Sequence, residues 1–267
     1  MKHFLITRFN LRASRWQTAK DGSPVLTEKW LENRFHLFET YCLTSVQNQT
    51  QQNFIWLVFF DINTPEKYRD KAHKISQQYS NFHPVFIDGI DNLKKSLIIE
   101  IKQFITDNRE FLITSRLDND DIIHKDYMKT IQSLFRPIDQ TVIDLRRGYQ
   151  VTLGKPYSQI RKIHNVFNPY LSLIEDSDNF KTVFHKDHKQ WRNSQSIVVY
   201  QKVKLWCEIV HGENLLNSTN DYAFRGYSLN SNNFGQKRNI FKDSKLSVFL
   251  ANNKLLIRRA ILKLRKY

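Results

Sequence analysis

The first ~135 residues alternate between β-rich apolar runs and helix-periodic segments, and few architectures accept that alternation. KHFLITRF at the start is apolar and β-rich. EKWLENRFHLFETYCLTSVQNQ spaces Trp30, Leu31, Phe35, Leu37, Phe38, Tyr41, Cys42 and Val46 as on a helix with one buried face. FIWLVFFD is a continuous apolar run, the pattern of a strand covered on both faces. Thr64 as a cap and Pro65 in the first turn open a second helix. NFHPVFID (81–88) reads as a third strand, 91–107 as a helix, 110–117 as a fourth strand and 121–135 as a helix. This pattern predicts βαβ units and an α/β fold with a mostly parallel sheet flanked by helices. Such sheets bind ligands beyond the carboxyl ends of their strands. Arg8–Asn10, Asp61, Asp88 and the stretch SRLDNDD (115–121) all fall at that level.

After residue 140 the pattern changes. TVIDLRRGYQVTL predicts a strand or hairpin, IRKIHNVFNPYLSLIED is mixed, and SIVVYQKVKLWCEIVHG holds two short strand-like runs. Residues 214–239 are polar and read as loop. The segment 244–267 predicts a helix with Val248, Leu250, Leu255, Leu256, Ile257, Ile261 and Leu264 among basic residues. A small antiparallel extension and a C-terminal basic helix are therefore expected beside the main sheet.

SRLDNDD concentrates three carboxylates in a chain whose net charge is +15. Like charges that close are unfavourable unless a cation or a proton offsets them. Hard divalent cations such as Mn²⁺ or Mg²⁺ take oxygen ligands, often one or two carboxylates with substrate phosphates. Helix capping is the competing reading: Asp120 or Asp121 caps a helix starting at Ile122. A calcium loop of the EF-hand type is excluded, because Ile123 and Lys129 stand where Gly and Glu are required. An Asp-nucleophile phosphohydrolase is a further reading of two aspartates after an apolar strand.

The segments KHFLITRFNLR, LENRFHLFETYCLTSVQNQ, FIWLVFFDINTP and TSRLDNDD, in this order, resemble the rhamnosyltransferase family of bacterial glycosyltransferases. FNPYLSLIE and WCEIVHGEN are similar to later segments of that family, so the resemblance runs over most of 1–215. It implies a GT-A fold in which SRLDNDD is the D-x-D motif. It also implies a nucleotide-sugar donor and Mn²⁺ or Mg²⁺ as cofactor. On this reading 1–243 form the GT-A-like domain, with 1–135 the nucleotide-binding half and 136–243 the acceptor half, and 244–267 are an appended helix.

The resemblance assigns Asp118 and Asp120 to metal and ribose, with Asp121 holding water on the metal or capping. Arg8 lies where GT-A folds meet the nucleotide. Arg116 is a phosphate partner, and Asp61 and Asp88 are contacts to base or ribose. His211 is a late metal ligand. Glu175 and Asp176 are the expected catalytic bases, with Glu208 and Asp187 as rivals. Trp16, Trp191 and Tyr227 are candidates to stack on sugar rings.

The basic charge permits anionic partners. No zinc-finger, RNA-recognition or G-x-x-G pattern supports specific nucleic-acid binding. Cys42 and Cys207 sit in apolar runs and read as buried thiols. MKHFLITRF lacks a long apolar h-region. A cytoplasmic protein is expected, acting on a glycan or lipid-linked acceptor, with 245–267 able to lie on the inner face of an anionic membrane.

Overall fold

The computed structural model describes residues 1–13, 18, 22, 24–106, 110–154, 156–212, 218–236 and 241–264. Trp16, a candidate for sugar stacking, lies outside them. The chain opens with β1 (Lys2–Arg8). Helix α1 (Glu28–Leu37) comes next, capped by Thr27, whose side chain accepts from the Trp30 backbone N–H. A π-turn (Phe38–Leu43) continues it into α2 (Thr44–Gln47). Then come β2 (Ile55–Asp61), α3 (Glu66–Gln78), β3 (Phe82–Ile87), α4 (Leu93–Lys102) and β4 (Phe111–Arg116). β5 (Ile122–Ile123) precedes α5 (Tyr127–Ser133). The later strands are β6 (Thr141–Leu145), β7 (Arg147–Thr152), β8 (Gln159–His164), β9 (Ser172–Asp176), β10 (Ser196–Tyr200), β11 (Trp206–Val210) and β12 (Arg225–Gly226). Helix α6 (Lys245–Leu264) ends the described chain.

The main sheet has the order β10-β6-β9-β4-β1-β2-β3. β1 pairs in parallel with β2 and β4, and β2 with β3, as the alternation requires. Phe4, Leu5, Ile6 and the run Trp56–Phe60 are buried on both faces. Trp30, Phe35 and Phe38 cover one face of this sheet, where Phe35 stacks on Tyr68 at 5.1 Å between centroids. Leu93, Leu97 and Ile101 of α4 cover the other. The exception to parallel order is β9, antiparallel to both β4 and β6. The smaller sheet, β12-β8-β7-β11-β5, is largely antiparallel, with β7 and β11 the parallel pair.

Three local expectations are corrected. The Thr64 hydroxyl bonds the Asp61 carbonyl at 2.6 Å and Asn10 instead of capping, and Pro65 is the N-cap of α3. No helix starts at Ile122. The β-branched pair Ile122–Ile123 is drawn into the smaller sheet against Trp206 and Cys207, and α5 begins five residues later. TVIDLRRGYQVTL is not a hairpin, because its two strands belong to different sheets.

The two strands of TVIDLRRGYQVTL diverge after Arg146, and Gly148 lets the second of them, β7, lie close against β11. Gly148 pairs with Trp206 in register, and a methyl on it would overlap the Trp206 indole. Gly148→Ala is therefore expected to destabilise the protein by about 1–3 kcal/mol. A midpoint in urea unchanged from wild type would refute this packing account.

Candidate active site

The parallel pairing of β1 and β4 places Ile6 opposite Arg116. The residues just beyond, Arg8 and Asp118, emerge side by side, with Arg8 Nη2 3.4 Å from Asp118 Oδ1. Both guanidiniums lie over the Phe184 ring, Arg8 at 5.4 Å and Arg116 at 4.7 Å from its centroid. Burial, with Arg8 alongside, lowers Arg116 to about 10, which still leaves it charged at neutral pH. Two cations therefore converge where the main sheet's carboxyl ends meet the acidic motif.

The three aspartates of that motif point to different places. Asp118 keeps 39% of its side chain exposed. Asp120 turns inward, where its Oδ2 lies 2.7 Å from Arg34 Nη1 of α1 and 2.9 Å from His211 Nε2 beyond β11. Burial alone would raise its pKa, but Arg34 and His211 outweigh it and hold the carboxyl at about 2. Asp121 accepts from the Tyr170 hydroxyl at 2.6 Å and the Ile209 backbone N–H at 2.9 Å. Burial, with the charges of Asp120 and Asp118, pushes the Asp121 carboxyl well up. Concentrated negative charge is thus offset by a buried arginine on one residue and by a raised carboxyl on the next.

A cavity of about 560 Å³ opens beside the motif. Asp118, Asp121 and Glu208 supply its acidic wall, and residues 218–222 its polar rim. Its floor is the stacked pair Tyr170 and Trp206, whose ring centroids are 4.6 Å apart. Glu208 projects from β11 and accepts from Gln150 Nε2 at 2.6 Å. Burial pushes the Glu208 carboxyl up, and Asp120 and Asp118 add to this against the Gln150 hydrogen bond. A carboxyl with raised affinity for protons, lining a cavity beside a cationic cluster, has the properties of a general base.

Glu175 and Asp176 do not reach this cavity. They end β9, which runs antiparallel to β4 with Phe111 opposite Asp176. The end of β9 therefore lies at the start of β4, roughly 20 Å along the strand from Asp118 at about 3.3 Å per residue. Glu175 is fully buried and accepts from Gln140 Nε2 and from the Lys181 and Thr182 backbone N–H groups. Asp176 caps a turn through Asp178 N–H.

Asp61 is buried and accepts from the Arg12 side chain and backbone and from the Asn63 and Gly89 N–H groups, so it ties this corner of the sheet together. Asp88 stays exposed and pairs with Arg12. Trp191 is core, its indole N–H donating to the Val183 carbonyl. Tyr227 is exposed but does not line the cavity, whereas Tyr222 does. Neither Arg34 nor Tyr222 was singled out from sequence. Arg34 sits on a polar position of an amphipathic helix, and Tyr222 in an Asn-rich loop.

Among the described residues, no three His, Cys, Asp or Glu side chains are grouped to hold a metal ion. Asp118, Asp120 and Asp121, expected to share one ion, do not converge on one point: Asp120 meets Arg34 and His211, and Asp121 meets Tyr170 and the Ile209 backbone. The donor set fits a divalent cation that shares one or two carboxylates with substrate phosphates, Asp118 being the accessible one.

Residues 2–221 match the family model described as "Putative rhamnosyl transferase". No curated protein matches the sequence. Among solved structures, S. aureus TarS 1–349 in complex with UDP-GlcNAc is 13% identical, with a TM-score of 0.48 over 82% of this chain and 62% of that one. The same fragment with UDP is 13% identical, with a TM-score of 0.47 over 79% and 61%. The inositol-1-phosphate CTP transferase from T. maritima is 14% identical, with a TM-score of 0.35 over 81% and 92%. The chain spans about three fifths of the length of the TarS 1–349 structures it matches.

Proposed function

The chain belongs to the rhamnosyl transferase family, and from that premise we propose that it moves a sugar from a nucleoside-diphosphate donor to an acceptor hydroxyl in the 560 Å³ cavity. The observation that carries this reading is the meeting of a cationic pair, Arg8 and Arg116, with an acidic cavity wall at the carboxyl ends of β1 and β4. The guanidiniums offset charge growing on a departing diphosphate. Asp118 is the carboxylate that would hold Mn²⁺ or Mg²⁺ together with the diphosphate, and the ion would supply further charge neutralisation. His211 and Asp120, two further expected ligands, lie 2.9 Å apart and tie the end of β11 to the motif.

On the acceptor side, Glu208 takes the hydroxyl proton as the acceptor oxygen bonds to the anomeric carbon. The bond from that carbon to the phosphate oxygen breaks, and its electron pair leaves with the nucleotide. A single displacement of this kind inverts the anomeric centre. Gln150 fixes the carboxylate, and the Tyr170–Trp206 stack gives the cavity an apolar floor for a sugar ring. Rhamnose is the donor sugar the family description suggests, and a glycan or lipid-linked glycan is the acceptor class.

An Asp-nucleophile phosphohydrolase needs a second available carboxyl beside the first, and Asp120 is engaged by Arg34 and His211. The test is a thermal-shift panel of UDP-, GDP- and dTDP-sugars with and without Mn²⁺. One donor at a hundred times its dissociation constant should add about 2.7 kcal/mol of stability. Asp118→Asn should lose the Mn²⁺-dependent part of that shift. A panel in which no nucleotide sugar moves the transition would overturn the reading, and a shift indifferent to Mn²⁺ in both proteins would remove the metal from it.

A further inference from the structure

Helix α6 has two apolar faces, and only one is used. Val248 and Leu255 are buried against the domain. On the same side, Asn252 exchanges hydrogen bonds with the Arg225 backbone at 2.8 and 3.1 Å. Arg259 lies over Phe224 at 4.6 Å and donates to the Tyr222 carbonyl at 2.8 Å. The opposite side carries Leu246, Phe249, Leu250, Ile257, Ile261 and Leu264, all 46–77% exposed. At 100° per residue these six share one stripe along the helix. Packing one face on the domain therefore leaves a second, continuous apolar face exposed.

The charges flanking the stripe decide what covers it. Between Lys245 and Leu264 there are five basic residues, Lys245, Lys254, Arg258, Arg259 and Lys263, and no acidic one. Lys254 borders the stripe on one side, and Lys245 and Lys263 on the other. A second copy of the helix packed on this face would bring like charges together along both borders, with nothing to offset them. An anionic lipid surface offers an apolar layer for the stripe and negative headgroups for its borders. The helix is 20 residues long, about 30 Å at 1.5 Å per residue, yet no helix among the described residues is long and apolar enough to cross a membrane. Its geometry is that of a helix lying in the plane of the interface.

We infer that the exposed face of α6 docks the protein on an anionic lipid surface and sets the rim of the catalytic cavity beside it. The link is Tyr222, which lines the cavity and receives hydrogen bonds from Arg258 at its hydroxyl and from Arg259 at its carbonyl, both at 2.8 Å. The acceptor class this placement implies is a glycan anchored in that surface. This last step rests on the proposed transfer reaction, whereas lipid binding itself does not.

Flotation of the full chain with phosphatidylcholine vesicles, alone or containing phosphatidylglycerol, tests the inference. Binding is expected only with the anionic vesicles and should weaken as salt rises. The triple variant Leu250→Gln, Ile257→Gln, Ile261→Gln removes exposed groups only. It should melt like wild type, keep the donor-induced thermal shift and lose roughly tenfold or more in vesicle partitioning. Equal partitioning of variant and wild type would overturn the inference, as would wild type that stays with neither vesicle. So would a concentration-dependent dimer, seen by light scattering without lipid and abolished in the variant, because a second copy would then cover the face. Loss of the donor shift in wild type with lipid binding intact would instead sink the transfer reaction alone.

Discussion

Replacing Glu208 with Gln is expected to lower glycosyl transfer by about 10²–10⁴-fold, the usual contribution of a positioned proton acceptor. The amide keeps an oxygen to accept from Gln150, so the geometry of the cavity wall should survive. Two further readouts separate a base from a merely structural carboxyl. First, wild-type turnover should rise with pH through a carboxyl placed above the ordinary value of 4.5, because the base works only after it loses its proton. That acid limb should vanish in the variant. Second, a raised folded-state pKa means that the protonated form stabilises the fold. This contribution is present at low pH and lost as pH rises through the raised value. A neutral amide escapes that loss, so Glu208→Gln should be at least as stable as wild type at neutral pH. Activity lost while stability is kept or gained is the expected signature. Near-normal turnover in Glu208→Gln, with Glu175→Gln inactive yet fully folded, would move the base to the far end of β9.

Arg34→Met is expected to destabilise the protein by about 3–5 kcal/mol at neutral pH. It leaves the Asp120 carboxylate buried without its main counter-charge. The Asp120 carboxyl is held at about 2, below its ordinary 3.8. Its contribution is therefore present above the unfolded value and lost as pH falls through the folded one. The gap between wild type and variant should accordingly narrow in acid, across that window. Arg34 also bonds Asn119 at 3.1 Å and stacks over Trp30 at 4.8 Å, so part of the loss belongs to those contacts. The double variant Arg34→Met, Asp120→Asn separates the two, because neutralising the orphaned charge should restore most of the stability. Urea melts giving a single-variant loss below about 1 kcal/mol would show that the motif's charge is offset elsewhere.

These two residues mark where local sequence information ends. The alternation of the first 135 residues places β1 to β4 in one parallel sheet and SRLDNDD at its carboxyl edge, because burial on two faces and burial on one leave different periods in the chain. The same periodicity marks α6 as amphipathic. It does not say how the Asp120 charge is satisfied, since its partners stand 86 and 91 residues away. Nor does it give the direction of β9. SLIED has the same pattern in either orientation, and the antiparallel choice puts Glu175 and Asp176 at the end of the sheet away from the cavity, while β11 brings Glu208 to its wall. The sequence by itself determined which segments are strands and helices and where the acidic motif emerges, because those depend on neighbours along the chain. Only the tertiary structure decided which carboxyl faces the cavity, which is tied to arginine and which apolar face of α6 stays in water, because each depends on the register between segments distant in sequence.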